Sequence, residues 1–324
     1  MASLDAPIPL LLISAFLTLQ ELCQVRAVSR SCFTVLPNHT HTLVGTNLRD
    51  HKSVVLATNY FPRVTTLVLQ DCKLSDGELT LAIECIGSQW SQLQAVKLSR
   101  VQNLKDHHVR QLAETCSALE MLTVSQCYQV QKPLVVALKL RYIEFHGCFF
   151  SRFAMGTRLP ALQELRMLSR VLTTLNVHKL IKEILVKEAP LLETLCLANC
   201  GEIEQVLIDP MELPKLRTLD LSNCHALTRV HVSSPSLTTL HLSFCLHLEH
   251  LILDLQSVRI VDLSFLQSLT HLYLRSDSLK ALNLTGCNQL ERANLQVMCP
   301  ALKIVLLQGT NLSLGDGSNF SNGA

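Results

Sequence analysis

Residues 216–224 read LRTLDLSNC, and the same spelling returns as LTTLHLSFC at 237–245, VRIVDLSFL at 258–266 and LKALNLTGC at 279–287. Leu216, Leu219, Leu221 and Cys224 are therefore followed at a 21-residue interval by Leu237, Leu240, Leu242 and Cys245. Val258, Val261, Leu263 and Leu266 come next, then Leu279, Leu282, Leu284 and Cys287. A fixed period of this length marks a stacked-repeat architecture, in which no unit can bury its own apolar face and its neighbours bury it instead. In the short L-x-L segment alternate side chains leave a strand on opposite faces, so the leucines enter the core and the residues between them meet solvent. Burying each leucine stabilises the array by roughly 1.5–3 kcal/mol.

Outward from that array the copies are longer and looser. They run Val64, Leu67, Leu69, Cys72; Leu93, Val96, Leu98, Val101; Leu119, Leu122, Val124, Cys127; and Leu140, Ile143, Phe145, Cys148. Leu162, Leu165, Met167 and Leu192, Leu195, Leu197, Cys200 carry the pattern across the middle, with a weaker copy at Leu172, Leu175, Val177 between them, and Leu302, Val305, Leu307 form the last. This is the leucine-rich-repeat pattern. Between Leu74 and Leu119 the return segments read as helices with Asp or Ser as N-caps. From Cys224 onward the returns are apolar-periodic runs such as Leu227, Val230, Val232 and Leu248, Leu251, Leu253, and a coil this short leaves little room for a helix. The expected fold is an α/β leucine-rich-repeat solenoid, a horseshoe with parallel strands on its concave face. Helical returns are expected in the first half and shorter extended returns in the second, with the regular array starting after about residue 200.

Composition narrows the function. The chain has 324 residues, 48% of them hydrophobic, with a formal charge of +2, so its bulk charge points to neither nucleic acid nor an anionic membrane. The thirteen cysteines are odd in number, spread over the chain and contain no C-x-x-C pair, which argues against a disulfide framework or a zinc site. Cys72, Cys127, Cys148, Cys200, Cys224, Cys245 and Cys287 close their strands and read as buried free thiols, which fits a reducing, cytoplasmic or nuclear compartment. No G-x-S-x-G, H-E-x-x-H, P-loop or G-x-G-x-x-G motif occurs, so no catalytic residue, metal or cofactor is expected. His107 and His108, in a helical return, and His39 and His41, in a link, read as solvated. The apolar stretch Ile8 to Leu19 is too short to span a membrane. A secretory signal is disfavoured there because the first charge is Asp5 and no small-residue cleavage site precedes Glu21.

The stretches LEMLTVSQC at 119–127, with Cys116 before it, and Leu69 to Asp76 resemble the cysteine-containing leucine-rich repeats of F-box proteins. The string from Ala15 to Leu36 is similar to the core of an F-box, matching best from Phe16 to Arg30. Departures lie on both sides: the family's opening Leu-Pro and acidic pair are absent, and the closing aromatic and leucine come one residue late, at Phe33 and Leu36. The resemblance implies that Leu10, Leu11, Phe16, Leu17, Leu22, Val25 and Val28 divide between a small helical core and a face docking on a Skp-type adaptor. It further implies a cullin and RING ligase beyond that adaptor and a protein substrate held by the repeats. A helical cap over the first coil is the alternative for the same segment. The corresponding domain division is an F-box-like segment at 1–45, a solenoid at 46–310 and a polar, glycine-rich, disordered tail at 311–324.

The 21-residue register also aligns exposed positions. Asp220, His241, Asp262 and Asn283 form one column on the expected concave face, at an inter-coil spacing of about 4.8 Å that lets His241 pair with both aspartates. It reads either as a satisfied polar ladder or as a strip for a substrate with basic groups. A second column, Arg229, His250, His271 and Arg292, falls on the returns, as a solvated face or a basic stripe for an acidic partner.

Overall fold

The structure, a computed structural model, describes Glu21 and residues 40–312. The F-box-like segment, with all seven of its proposed docking residues, and the tail beyond residue 312 lie outside the described residues. The chain divides into two compact units, one ending at Cys148 and taking in Phe153–Pro160, the other comprising Phe149–Arg152 and the described residues from Ala161 onward. No helix among the described residues is long and apolar enough to cross a membrane.

In the first unit the strands β1 (Thr42–Thr46), β2 (Thr66–Gln70), β3 (Ala95–Ser99), β4 (Met121–Ser125) and β5 (Tyr142–His146) pair in that order, all parallel. The sheet begins at Thr42, so the expected boundary between residues 45 and 46 cuts through β1. Helices α1 (Lys52–Tyr60), α2 (Asp76–Gln89) and α3 (Asp106–Thr115) return the chain between successive strands. A parallel pair demands such a crossover, since a tight hairpin cannot join strands that run the same way.

Local sequence sets these helices. Ser75 Oγ accepts from Glu78 N–H at 3.4 Å while the Glu78 carboxylate accepts from Ser75 N–H at 2.9 Å, a reciprocal cap that satisfies two donors at the start of α2. Leu79, Ala82, Ile83 and Ile86 then recur at helical spacing and are buried. The N-cap of α3 is Lys105, not the Asp or Ser expected; Asp106 instead accepts from the N–H groups of Gln131 and Lys132 and ties down the following coil.

In the second unit two ladders run side by side. The L-x-L strands are β6 (Glu164–Leu168), β7 (Thr194–Cys196), β9 (Thr218–Asp220), β11 (Thr239–His241), β13 (Ile260–Asp262), β15 (Ala281–Asn283) and β17 (Ile304–Leu306). The returns carry β8 (Gln205–Ile208), β10 (Arg229–Ser234), β12 (His250–Leu255), β14 (His271–Arg275) and β16 (Leu295–Met298), paired in that order as a second parallel sheet. These are the extended returns anticipated from Leu227, Val230 and Val232.

One apparent repeat copy is not a repeat unit. Leu172, Leu175 and Val177 form no strand, because β6 pairs directly with β7 through Glu164↔Thr194, and the chain between them coils into α4 (Thr174–Lys179). That helix continues through a π-helical turn at Leu180–Leu185 into Val186–Glu188. Thr173 caps it by accepting from Asn176 N–H at 3.4 Å. A return of this length has room for a helix that a 21-residue coil lacks, and Leu175 is exposed where a strand leucine would be buried.

The cysteine positions act as a second ladder. Cys200 Sγ donates to Met167 O at 3.0 Å, Cys224 to Leu197 O at 3.2 Å, Cys245 to Leu221 O at 3.1 Å and Cys287 to Leu263 O at 3.0 Å, each reaching back one coil. The small apolar thiol suits this buried place and satisfies a carbonyl there. Burial pushes the Cys245 and Cys287 thiols up to about 11 and those of Cys148 and Cys200 up to about 12, so they remain protonated donors.

Candidate functional site

Backbone register places Asp220 beside His241 and Asp262 beside Asn283, as the period required. Their side chains do not form the expected network. Asp220 Oδ1 accepts from Ser222 N–H at 2.9 Å, Asp262 Oδ1 from Ser264 N–H at 2.9 Å and Asn283 Oδ1 from Thr285 N–H at 3.0 Å. Each short acid or amide folds back on the turn that closes its own strand, the local bond Asp and Asn make most readily. Among the described residues His241 bonds to neither aspartate. The column is thus chiefly a set of turn-forming groups, and three of its members are accounted for by the fold.

A different feature stands out at the same place. Leu221 N–H donates to His241 O, Leu263 N–H to Asn283 O and Leu284 N–H to Leu306 O, each at 2.9 Å. The equivalent bond from Leu242 to Asp262 is missing. Arg217 O accepts from Thr238 and Thr239, and Arg259 O from Lys280 and Ala281, but Thr238 O accepts from neither Arg259 nor Ile260. The strand ladder therefore ends at β11 and restarts at β13 as a separate sheet, β13-β15-β17. Across the same junction β10, β12 and β14 stay in unbroken register, so the opening is confined to the strand face.

Two substitutions in the repeat coincide with it. Leu266 occupies the position held by Cys224, Cys245 and Cys287, so no thiol reaches Leu242 O, and a larger branched side chain fills the space beneath the turn. Ser236 Oγ donates to Leu216 O at 2.8 Å, and Ser278 Oγ lies 2.6 Å from Gln256 O and 2.9 Å from Val258 O, whereas Ser257 Oγ keeps the bond to Pro235 O at 2.6 Å and makes none to Leu237 O. With the strand-backbone and thiol links absent and Ser257 tied to Pro235 O alone, the strand face parts into a cleft of ≈ 900 Å³ lined by Leu240, His241, Arg259, Ile260 and Asp262 among others. Leu240, expected in the core, is only half-buried, while its counterparts Leu219, Val261 and Leu282 are buried.

Two phenylalanines stand at the turns closing β11 and β13. Phe244 and Phe265 have φ of 61° and 60° and are 66% and 61% exposed. A left-handed backbone costs a residue with a side chain about 1–2 kcal/mol, and Gly and Asn usually fill such positions. The neighbouring coils do so, with Asn223 on one side and Gly286 on the other. Gly286 is required for a second reason, since a Cβ there would lie 2.8 Å from Phe265 Cδ1. Exposed aromatic side chains on left-handed backbone contribute little to the core of the unit.

Two charged clusters of the first unit are committed to structure. Arg100 clamps Asp71 through Nε and Nη2 and donates from Nη1 to Gln126 Oε1, beside a cleft of ≈ 520 Å³. The guanidinium beside Asp71 holds its carboxyl below the ordinary range. Asp76, His107 and His108 converge at metal-ligand spacing, but Lys105 Nζ already sits 2.7 Å from Asp76 Oδ1. His108 Nδ1 accepts from Lys105 N–H at 3.1 Å and Nε2 lies 3.2 Å from Asp76 O, so both ring nitrogens are engaged. Expected to be solvated, His108 is instead completely buried between α2 and α3, and desolvation holds its pKa below the ordinary value. These residues clamp two helices together.

The return-face column holds in part. Arg229, His250 and His271 are in register, with the two imidazole centroids 4.5 Å apart. Arg292 is not a member: Leu272 pairs with Leu295, so this coil is longer than its predecessors and Arg292 falls in the 3-10 turn Arg292–Asn294. Sequence reading missed Arg259, Ile260, Phe244 and Phe265 altogether. The available signals were the leucine at the cysteine position 266 and the phenylalanines at turn positions.

No family model matches the chain, and no curated protein matches it. Among solved structures, it is similar to a chain from the crystal structure of the yeast Rad7 and Elc1 complex, at 14% identity over 84% of this chain and 76% of that one, with a TM-score of 0.42. It is likewise similar to the leucine-rich repeat domain of the type III effector XopL, at 15% identity over 93% and 98% of the two chains, with a TM-score of 0.41. The leucine-rich-repeat architecture rests on the ladders themselves.

Proposed function

We propose that this chain is a non-catalytic recognition subunit that holds a protein substrate on the strand faces of its repeats and delivers it to a Skp–cullin–F-box ubiquitin ligase. Recognition by the repeats is supported by the opened strand face of the second unit, where exposed side chains and unpaired main-chain groups meet around a cleft large enough for a partner's segment. Delivery to the ligase is supported by the F-box-like sequence from Phe16 to Leu36. Such a subunit acts by proximity, bringing substrate and transferring enzyme together, and needs no acid, base or nucleophile of its own.

Co-purification tests the ligase assignment. The wild-type chain should recover a Skp-type adaptor and a cullin, and the double variant Leu22→Asp, Val28→Asp should recover neither, because charges on the docking face cannot be desolvated against an apolar partner. Failure of the wild type to recover the adaptor, or equal recovery by the variant, leaves the chain as an interaction scaffold or inhibitor outside the ligase.

A further inference from the structure

We propose that the face of β13, β15 and β17 docks an acidic segment of a partner protein that also carries aliphatic or aromatic side chains. The inference rests on reading the repeats as a protein receptor and adds the chemistry of what they receive. Arg259, Lys280 and Lys303 each stand one residue before a strand, in coils whose strands pair as Ile260↔Ala281 and Ala281↔Ile304. Their backbones occupy consecutive rungs, with Lys280 N–H on Arg259 O at 2.8 Å and Lys303 N–H on Lys280 O at 2.9 Å. The three cations are thus spaced along one edge of the face at about 4.8 Å per coil. All are exposed, and none forms an ion pair among the described residues. Like charges in adjacent rungs repel, so the row is a cost to the free protein that an anionic partner would remove.

Beside this row runs an apolar one. Ile260 is 69% exposed and Ile304 56%, with Ala281 between them and Leu306 exposed two residues beyond Ile304. On the other side of the cleft the same positions differ in kind: Thr194, Thr218 and Thr239 replace the apolar row, and Arg217 is paired with Glu193 at 3.8 Å. The face changes from neutral and hydroxylated to cationic and aliphatic at the place where the ladder opens. Asp262 contributes the opposing charge on this sheet, and one of its oxygens already serves Ser264. A phosphate backbone would use the cations and leave the isoleucines in water; an acidic peptide with apolar side chains engages both rows.

The test is fluorescence anisotropy on the full chain in roughly 150 mM salt, where exposed charges are screened beyond about 8 Å. The probe is a labelled peptide alternating Glu with Ile over roughly seven residues, long enough at about 3.3 Å per residue to cross three coils. A peptide with Lys in place of Glu and a single-stranded oligonucleotide of matched charge are the controls. The Glu peptide should bind the wild type and lose about tenfold or more in affinity both with Arg259→Glu, Lys280→Glu, Lys303→Glu and with Ile260→Thr, Ile304→Thr, since each removes one of the two rows. Should the triple reversal fail to fold, Lys280→Ala, Lys303→Ala makes the same comparison. The proposal is overturned by absence of saturable binding to the wild type, by affinity indifferent to these variants, or by an oligonucleotide that binds as tightly as the peptide. Recovery of the Skp-type adaptor depends on Leu22 and Val28 and should be untouched by the triple reversal, so either reading can fail without the other.

Discussion

Leu219 and Leu240 occupy the same position in consecutive coils, pair through one ladder, and should respond very differently to truncation. Leu219 is wholly buried, so Leu219→Ala removes its transfer free energy and leaves a sealed cavity, a combined loss of about 3 kcal/mol within the usual 2–5. Leu240 borders the cleft and is only partly buried, so less area returns to water and no closed void remains; about 1 kcal/mol is expected. In urea unfolding followed by far-UV circular dichroism, with a slope of about 3 kcal/mol/M, the midpoint should fall by about 1 M for Leu219→Ala and about 0.3 M for Leu240→Ala, with the slope unchanged in both. Equal losses, or a larger loss at Leu240, would show that the strand face is closed in solution and would refute the account of Leu266, Ser257 and the missing Leu242 bond together.

Two further outcomes follow from buried polar groups. His108 is neutral in the fold, with Nδ1 accepting from Lys105, and its folded pKa is depressed by burial, so its contribution is complete above about pH 6.5 and is lost as pH falls through the lower folded value. Thermal unfolding of the wild type should therefore weaken more between about pH 7 and 5 than that of His108→Gln; parallel curves would mean that the ring is solvated. Under native conditions at mildly alkaline pH, peptide mapping after alkylation should find Cys85, which alone of the described cysteines is not buried, modified ahead of Cys127, Cys148, Cys200 and Cys245. Early modification of Cys245 would contradict its role as a sealed donor to Leu221.

The 21-residue spelling from Leu216 to Cys287 determined the repeat, its parallel strands and the extended returns, because an alternating apolar pattern on so short a coil has few ways to close a core. Likewise Ser75 and Glu78 declared a helix start in the chain itself, since a cap is a local bond. The reading failed where spacing alone was the guide: Leu172, Leu175 and Val177 imitate the repeat, and only the pairing of β6 with β7 shows that this segment is the return. It failed again for Asp220, His241 and Asp262. The period aligned these residues correctly, but whether a carboxylate reaches across to its neighbour or back to its own turn depends on side-chain geometry that a period does not specify. The opened strand face lay further still from the sequence. Leu266 for cysteine is a single substitution that preserves the hydrophobic pattern, and its consequence, a parted ladder with Arg259 and Ile260 at the margin, arises only when the thiol, hydroxyl and backbone links between two coils are counted together in space.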